Sequence, residues 1–241
     1  DLHRRRHSFP TRRSSDLLSQ YLPGVPDSLL ELALRINAMS SLGAGGAGVE
    51  ESRKAIQDFL YNALARAAFA AYRAIQDEVV VSGGALRDYS TTLLLVIHKR
   101  LSIGHFIAGF AIGDGAIAVY DKGKSVSLLC EPDTGEFAGQ TRFLTMPEVF
   151  EPKGLSKRLR FILTEKFTSI VAATDGITDP LFPSENSLRQ VQSWDQLWSN
   201  LTGSVRLDLE NVNIERELLG WLDFWSPGNH DDRSIAMLIN E

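Results

Sequence analysis

The chain has 241 residues, 44% of them hydrophobic and 23% charged, which is enough apolar mass for one buried core and too much for a disorder-dominated chain. Its net charge of -5 provides no positive field of the kind that holds nucleic acid or an anionic membrane, and no apolar run approaches the roughly 20 residues that span a bilayer. The single cysteine, Cys130, has no internal partner for a disulfide, so a reducing compartment, the cytoplasm, is expected.

The first 17 residues, DLHRRRHSFPTRRSSDL, place five arginines between Arg4 and Arg13 with no apolar period. A basic arm or a targeting peptide is one reading of such a run. RRRHSFPTRRSSDL, however, looks like a translated sequencing adapter joined to a gene fragment. Residues 1–17 are therefore set apart from the fold, 18–241 are read as one domain, and the authentic N-terminus is expected to be missing.

From Pro26 to Met39 the pattern PDSLLELALRINAM predicts a short amphipathic helix, opened by Pro26 and Asp27. The glycines of GAGGAG, Gly43 to Gly48, formally satisfy a dinucleotide-binding turn, but no strand precedes them and no acid closes a second parallel strand, so an interhelical loop is expected. A long helix follows from about Val49 to Glu78, with Ile56, Phe59, Leu60, Leu64, Ala67, Ala71 and Ile75 spaced at three and four.

After Ser82-Gly83-Gly84 the period changes to two. Thr91–Lys99, Ile103–Ile112, Ala116–Tyr120 and Ser125–Cys130 read as consecutive strands of an antiparallel meander, with Gly113-Asp114-Gly115 as a plain hairpin turn between two of them. Phe161–Leu163 and Thr168–Ala173 read as a further hairpin, and helices around Ser187–Leu201 and Leu207–Phe224 precede a last strand, Ser234–Ile239. Helices, a run of strands, then helices and a final strand argue for a layered α+β sandwich. Trp194, Trp198, Trp221 and Trp225 fall on the two late helices at spacing four, as a core-facing aromatic stripe would.

The chemistry is concentrated in acids at strand ends. The apolar run Ser169–Ala173 delivers Asp175 and Asp179 of ATDGITDP into a glycine turn, and Asp231 and Asp232 precede the last strand. If those strands are neighbours, the carboxylates converge, and such a group needs a cation, a shared proton or an arginine. An all-oxygen set with neither Cys nor paired His selects Mg²⁺ or Mn²⁺ over zinc. Asp114 joins this set by its own strand-end position, whereas His230 reads as a loop residue and Asp121, Asp133 and Asp208 as solvated loop acids.

In this order the segments STTLLLVI, AGFAIGDGAIAVY, GEFAGQTRFLT, ATDGITDP and GNHDDRS resemble the metal-dependent type 2C (PPM-type) serine/threonine protein phosphatases, specifically their bacterial branch, over about Leu18 to Glu241. The resemblance implies an αββα sandwich of two antiparallel sheets flanked by helices, here missing its first strands. It implies two Mn²⁺ or Mg²⁺ ions sharing a water that attacks the phosphorus of phosphoserine or phosphothreonine, with Asp175 on the second ion and Asp231 sharing it. Asp114 would orient metal-bound water or help a weaker third ion together with Asp179. Phosphoproteins, and a serine/threonine kinase or its substrates, are the implied partners.

One departure stands out. The family begins with a phosphate-gripping arginine and an Asp-Gly whose aspartate bridges both ions, ahead of the first long helix. Neither is visible here, and Asp1 and Asp16 follow no apolar strand. The expectation is an active full-length parent, with these 241 residues binding metal poorly and inactive as they stand. An alternative is a catalytically inactive phosphatase-like domain that binds partners. The haloacid-dehalogenase reading of TDGIT fails because its nucleophile position is Ala173.

Overall fold

The computed structural model describes residues 47–101, 104–130, 141–224 and 231–240. The predicted helix at Pro26–Met39, residues 1–17, and most of the glycine-rich loop lie outside these residues. The last two residues of that loop already belong to the long helix α1, Ala47–Ser82.

Among the described residues, seven strands form two antiparallel sheets. The first has the order β1-β2-β5 and the second β4-β3-β6-β7, where β1 is Leu93–Leu101, β2 Gly104–Ile112, β3 Ala116–Asp121, β4 Ser125–Leu128, β5 Leu159–Thr164, β6 Ser169–Ala173 and β7 Ile235–Ile239. Four shorter helices complete the described chain: α2 Pro152–Lys157, α3 Asp175–Leu181, α4 Val191–Ser204 and α5 Ile214–Leu222.

Side-chain alternation along the two central strands explains why the sheets stack. On β2, Phe106, Ala108, Phe110 and Ile112 face α1, where they meet Ile56, Leu60, Leu64, Ala68 and Ile75. The intervening Ile107 and Ala111 point the other way, to Ile117 and Val119 of β3 and to Leu129, Phe167 and Ile170. On β3 the opposite set, Ala116, Ala118 and Tyr120, packs against Ile177, Trp194, Leu197, Leu201 and Trp221 of α3, α4 and α5. A period of two thus gives each central strand two apolar faces, and the result is helix, sheet, sheet, helix. The expected αββα sandwich is the observed fold.

Two local predictions need correction. The four early strands are not one meander: β1 pairs with β2 and β3 with β4, but β2 and β3 lie in different sheets. Gly113-Asp114-Gly115 is therefore a crossing between layers and not a hairpin turn. Nor do β5 and β6 form a hairpin, since β5 pairs with β2 while β6 pairs with β3 and β7. Short Gly- and Asp-containing links satisfy a hairpin and a sheet-to-sheet corner equally well, and burial between the sheets decides between them here.

The late helices behave as expected of a core-facing stripe. Trp194 and Trp221 are buried, and Trp198 packs beside Tyr120 with ring centroids 6.0 Å apart; Trp225 lies outside the described residues. Cys130 is a buried thiol outside any disulfide among the described residues, and its Sγ accepts from Ile117 N–H at 2.9 Å. Among the described residues no helix is long and apolar enough to cross a membrane.

Candidate active site

The site forms where three chain segments leave the second sheet at the same end. Ala116 of β3 is paired with Ala173 of β6, and Ala173 with Ile235 of β7. That register puts Asp114, Asp175 and the Asp231–Asp232 segment on one rim. Pairing of β6 with β7 meets the condition set by the sequence for the carboxylates to converge.

Glycines make the approach close enough. Gly113 has φ +114°, and a Cβ there would stand 2.4 Å from Thr92 Cγ2. A Cβ on Gly115 would stand 2.6 Å from the Ala173 carbonyl oxygen. Asp114 is thus wedged between the entry to β1 and the exit of β6. On the far side, a Cβ on Gly176 would stand 2.5 Å from the Asp232 carbonyl oxygen and 3.1 Å from that of Asp231.

Beyond Ala173 the chain does not make the glycine turn read from ATDGITDP. Thr174 serves as the N-cap residue and Asp175 opens α3, so Asp179 follows one turn later on the same helix face. Thr174 also ties the two acidic segments together. Its N–H donates to Ser234 O at 3.0 Å, its hydroxyl donates to Asp232 O at 3.3 Å, and it accepts from Ser234 N–H at 3.0 Å.

The four carboxylates feel one another. Burial raises the Asp175 carboxyl above its ordinary range and the Asp114 charge adds to this; the Gly176 N–H, 2.9 Å from Asp175 Oδ1, pulls the other way, and Asp231 and Asp179 push up again. Asp179 is raised by burial first, then by Asp114 and Asp231. Asp114 Oδ2 accepts from the Thr141 hydroxyl, while Oδ1 is buried and has no hydrogen-bond partner among the described residues. Asp114 and Asp179, with Glu185, edge a cleft of about 320 Å³ whose remaining wall is Thr178, Phe182, Pro183, Ser184 and Leu188. A larger groove of about 690 Å³ runs along α1 beside Tyr61, Phe69 and Phe150, but it lies away from the acid rim and none of the four carboxylates reaches it.

A model of the protein phosphatase 2C family matches residues 33–223. The chain belongs to the protein phosphatase 2C family. No curated protein matches it. The matched span takes in Asp114, Asp175 and Asp179 and ends ahead of Asp231. Protein phosphatase 2C domains generally depend on Mn²⁺ or Mg²⁺, and the donor set can be tested against that requirement.

Among the described residues no three His, Cys, Asp or Glu side chains stand close enough to enclose a metal ion unaided. Mg²⁺ and Mn²⁺ do not demand such a cage: Mg²⁺ in particular keeps several waters and is held through one or two carboxylates. A buried carboxylate oxygen with no partner among the described residues, beside carboxyl groups raised by burial and by neighbouring charges, is the electrostatic setting that a divalent cation relieves. The residues present therefore fit a hard, oxygen-seeking ion.

Other acids have different surroundings. Asp121 is not the solvated loop acid expected but the last residue of β3, partly buried and paired with Lys124 Nζ at 3.1 Å; Asp208, in a loop as expected, is paired with Arg206 Nε at 2.8 Å. Asp133 and His230 lie outside the described residues. Two contributors were not legible in the sequence. Thr141 reaches Asp114 across 27 positions. Arg233 holds three carbonyls, Gly176 O at 3.2 Å, Leu222 O at 2.8 Å and Phe224 O at 2.6 Å, with its guanidinium 4.0 Å over the Phe224 ring. Arg233 thereby binds the Asp231 segment to α3 and to the end of α5. Its position inside GNHDDRS was the only available signal.

Proposed function

We propose that the full-length parent of this protein phosphatase 2C domain hydrolyses phosphoserine and phosphothreonine in proteins with the help of Mn²⁺ or Mg²⁺. Asp175, Asp231 and Asp114 would hold the cations, and Asp179 would act beside Asp114. The single observation that carries this reading is the rim itself: four carboxylates from three segments, two of them raised by burial and mutual repulsion, beside an open cleft. A phosphomonoester dianion could not approach that rim without cations to offset the charge.

When bound, a divalent pair supplies charge neutralisation of the phosphoryl oxygens and lowers the pKa of a water molecule. The protein's share is positional. Gly115 and Gly176 bring the acid-bearing segments within van der Waals range of each other, Thr174 and Arg233 lock the β7 approach to α3, and Phe182, Pro183 and Leu188 give the cleft an apolar stretch of wall. No phosphorylated side chain is needed as an intermediate. Phosphoproteins are the proposed substrates, with a serine/threonine kinase or its targets as partners, in a bacterial cytoplasm that suits the buried thiol of Cys130.

The test is phosphate release from a phosphothreonine peptide by the full-length protein. Release should depend on Mn²⁺, stop with EDTA, and fall by about 100-fold or more in Asp175→Asn. Mn²⁺-dependent retention of the peptide without release would replace this reading with the inactive binding domain. Release indifferent to Asp175→Asn would remove the acid rim from the chemistry.

A further inference from the structure

Asp114 is fixed from two directions. From the backbone side, Gly113 and Gly115 leave no room to shift, as a Cβ on either would meet Thr92 or the Ala173 carbonyl within 2.6 Å. From the carboxylate side, the Thr141 hydroxyl donates to Oδ2. A hydroxyl bound to a charged acceptor is among the stronger neutral-to-ion hydrogen bonds, and it occupies a lone pair of Oδ2 and fixes the plane of the carboxylate, leaving Oδ1 as the unengaged oxygen.

Thr141 does not reach Asp114 from a loosely held surface loop. Three residues on, Leu144 N–H donates to Thr91 O at 2.8 Å, and Met146 N–H to Phe143 O at 3.0 Å. Leu144 and Thr145 are buried, and Arg142 Nη1 lies 3.6 Å from Glu148 Oε1. The segment is thus pinned to the entry of β1, the element that also crowds Gly113. Its hydroxyl, unlike the backbone contacts, satisfies nothing else among the described residues except the Asp114 carboxylate.

We propose that Thr141 is a positioning residue for the cation site: by donating to Asp114 Oδ2 it turns Oδ1 into the one oxygen that Asp114 offers to a divalent ion. This rests on the proposed function. An aspartate with both oxygens free can rotate about its terminal torsion and ligate through either or both; one clamped at Oδ2 binds through a single, prealigned atom. The buried Oδ1, without a partner among the described residues, is the atom left over by that clamp. Partners of this kind, outside the ligand set but holding a ligand in place, typically govern metal affinity by about 10- to 100-fold.

The experiment compares Thr141→Val, which keeps the shape and loses the donor, with Thr141→Ser, which restores it, by calorimetric titration of Mn²⁺ into the full-length protein. The Val variant should bind at least one Mn²⁺ about tenfold more weakly, and the Ser variant should stay within about threefold of the parent. Melting of the three metal-free proteins should differ by only about 2–4 °C, the shift of one ordinary hydrogen bond in a domain of this size. A Val variant that binds Mn²⁺ as the parent does, or a Ser variant as weak as Val, overturns the inference while leaving the cation site standing. A parent that takes up no Mn²⁺ overturns the proposed function and this inference with it.

Discussion

Gly176→Ala is expected to weaken Mn²⁺ binding by roughly 10- to 100-fold and to lower the melting temperature by several degrees, although it adds a single methyl group. The added Cβ would lie 2.5 Å from the Asp232 carbonyl oxygen and 3.1 Å from that of Asp231. Both obstacles are backbone, so no side chain can swing aside. Either α3 or the 231–234 segment must move, and the hydrogen bonds that Thr174 makes to Asp232 and Ser234 hold the two together against such movement. Overpacking of this kind costs about 1–3 kcal/mol, or about 2–4 °C per kcal/mol in a domain of this length. Gly220→Ala is the control: it lies within α5, a Cβ there meets nothing, and alanine in a helix interior should stabilise by up to about 1 kcal/mol. Mn²⁺ titration and thermal melting of the two variants separate a clash at the rim from the general effect of replacing glycine.

Trp194→Ala should be the most destabilising of these substitutions, by about 3–5 kcal/mol. Trp194 is 1% exposed, its ring centroid lies 4.8 Å from that of Phe182, and its Nε1–H donates to Leu188 O at 2.8 Å. Removing it opens a cavity beneath the cleft wall and leaves the Leu188 carbonyl without its donor. The melting temperature should fall by about 10 °C or more. Trp194→Phe should recover part of the loss, because it keeps an aromatic ring against Phe182 and forfeits the hydrogen bond, at about 1–3 kcal/mol, together with the extra volume of the indole. Equal losses in the two variants would show that the hydrogen bond, and not the packing, holds the 182–188 segment.

The helices and most strands were legible because their evidence is local. The three-and-four spacing of Ile56, Leu60, Leu64 and Ile75 marks α1, and the two-residue period of Phe106 to Ile112 marks β2. Which sheet each strand joins was not legible. Gly113-Asp114-Gly115 carries the composition of a hairpin turn, and only the burial of Ile107, Ala111, Ile117 and Val119 between the layers makes it a crossing. The acids at the rim could be named one by one, since each follows or precedes an apolar run. Asp179 was placed at a strand end and instead rides on α3, because the chain enters a helix directly after Thr174 where glycine suggested a turn. Thr141 and Arg233 escaped notice for a different reason: their partners lie 27 and 57 positions away, and a hydroxyl or guanidinium in a loop has no periodic signature.

The central proposal is that Asp114, Asp175, Asp179 and Asp231 form a site for divalent cations, and thermal melting of the full-length protein with and without millimolar Mn²⁺ across pH tests it most directly. The folded-state carboxyls of Asp175 and Asp179 are raised above their ordinary value of 3.8. Their contribution to the stability of the metal-free protein is therefore full below pH 3.8 and is lost as pH rises through the raised values. Mn²⁺ competes with those protons, so its stabilising effect should be small near pH 4.5, grow toward pH 7.5 to several degrees, and vanish in Asp175→Asn, which should itself melt about 2–4 °C above the metal-free parent for each kcal/mol of repulsion removed. A melting temperature indifferent to Mn²⁺ at pH 7.5, or one raised equally in Asp175→Asn, would contradict the account.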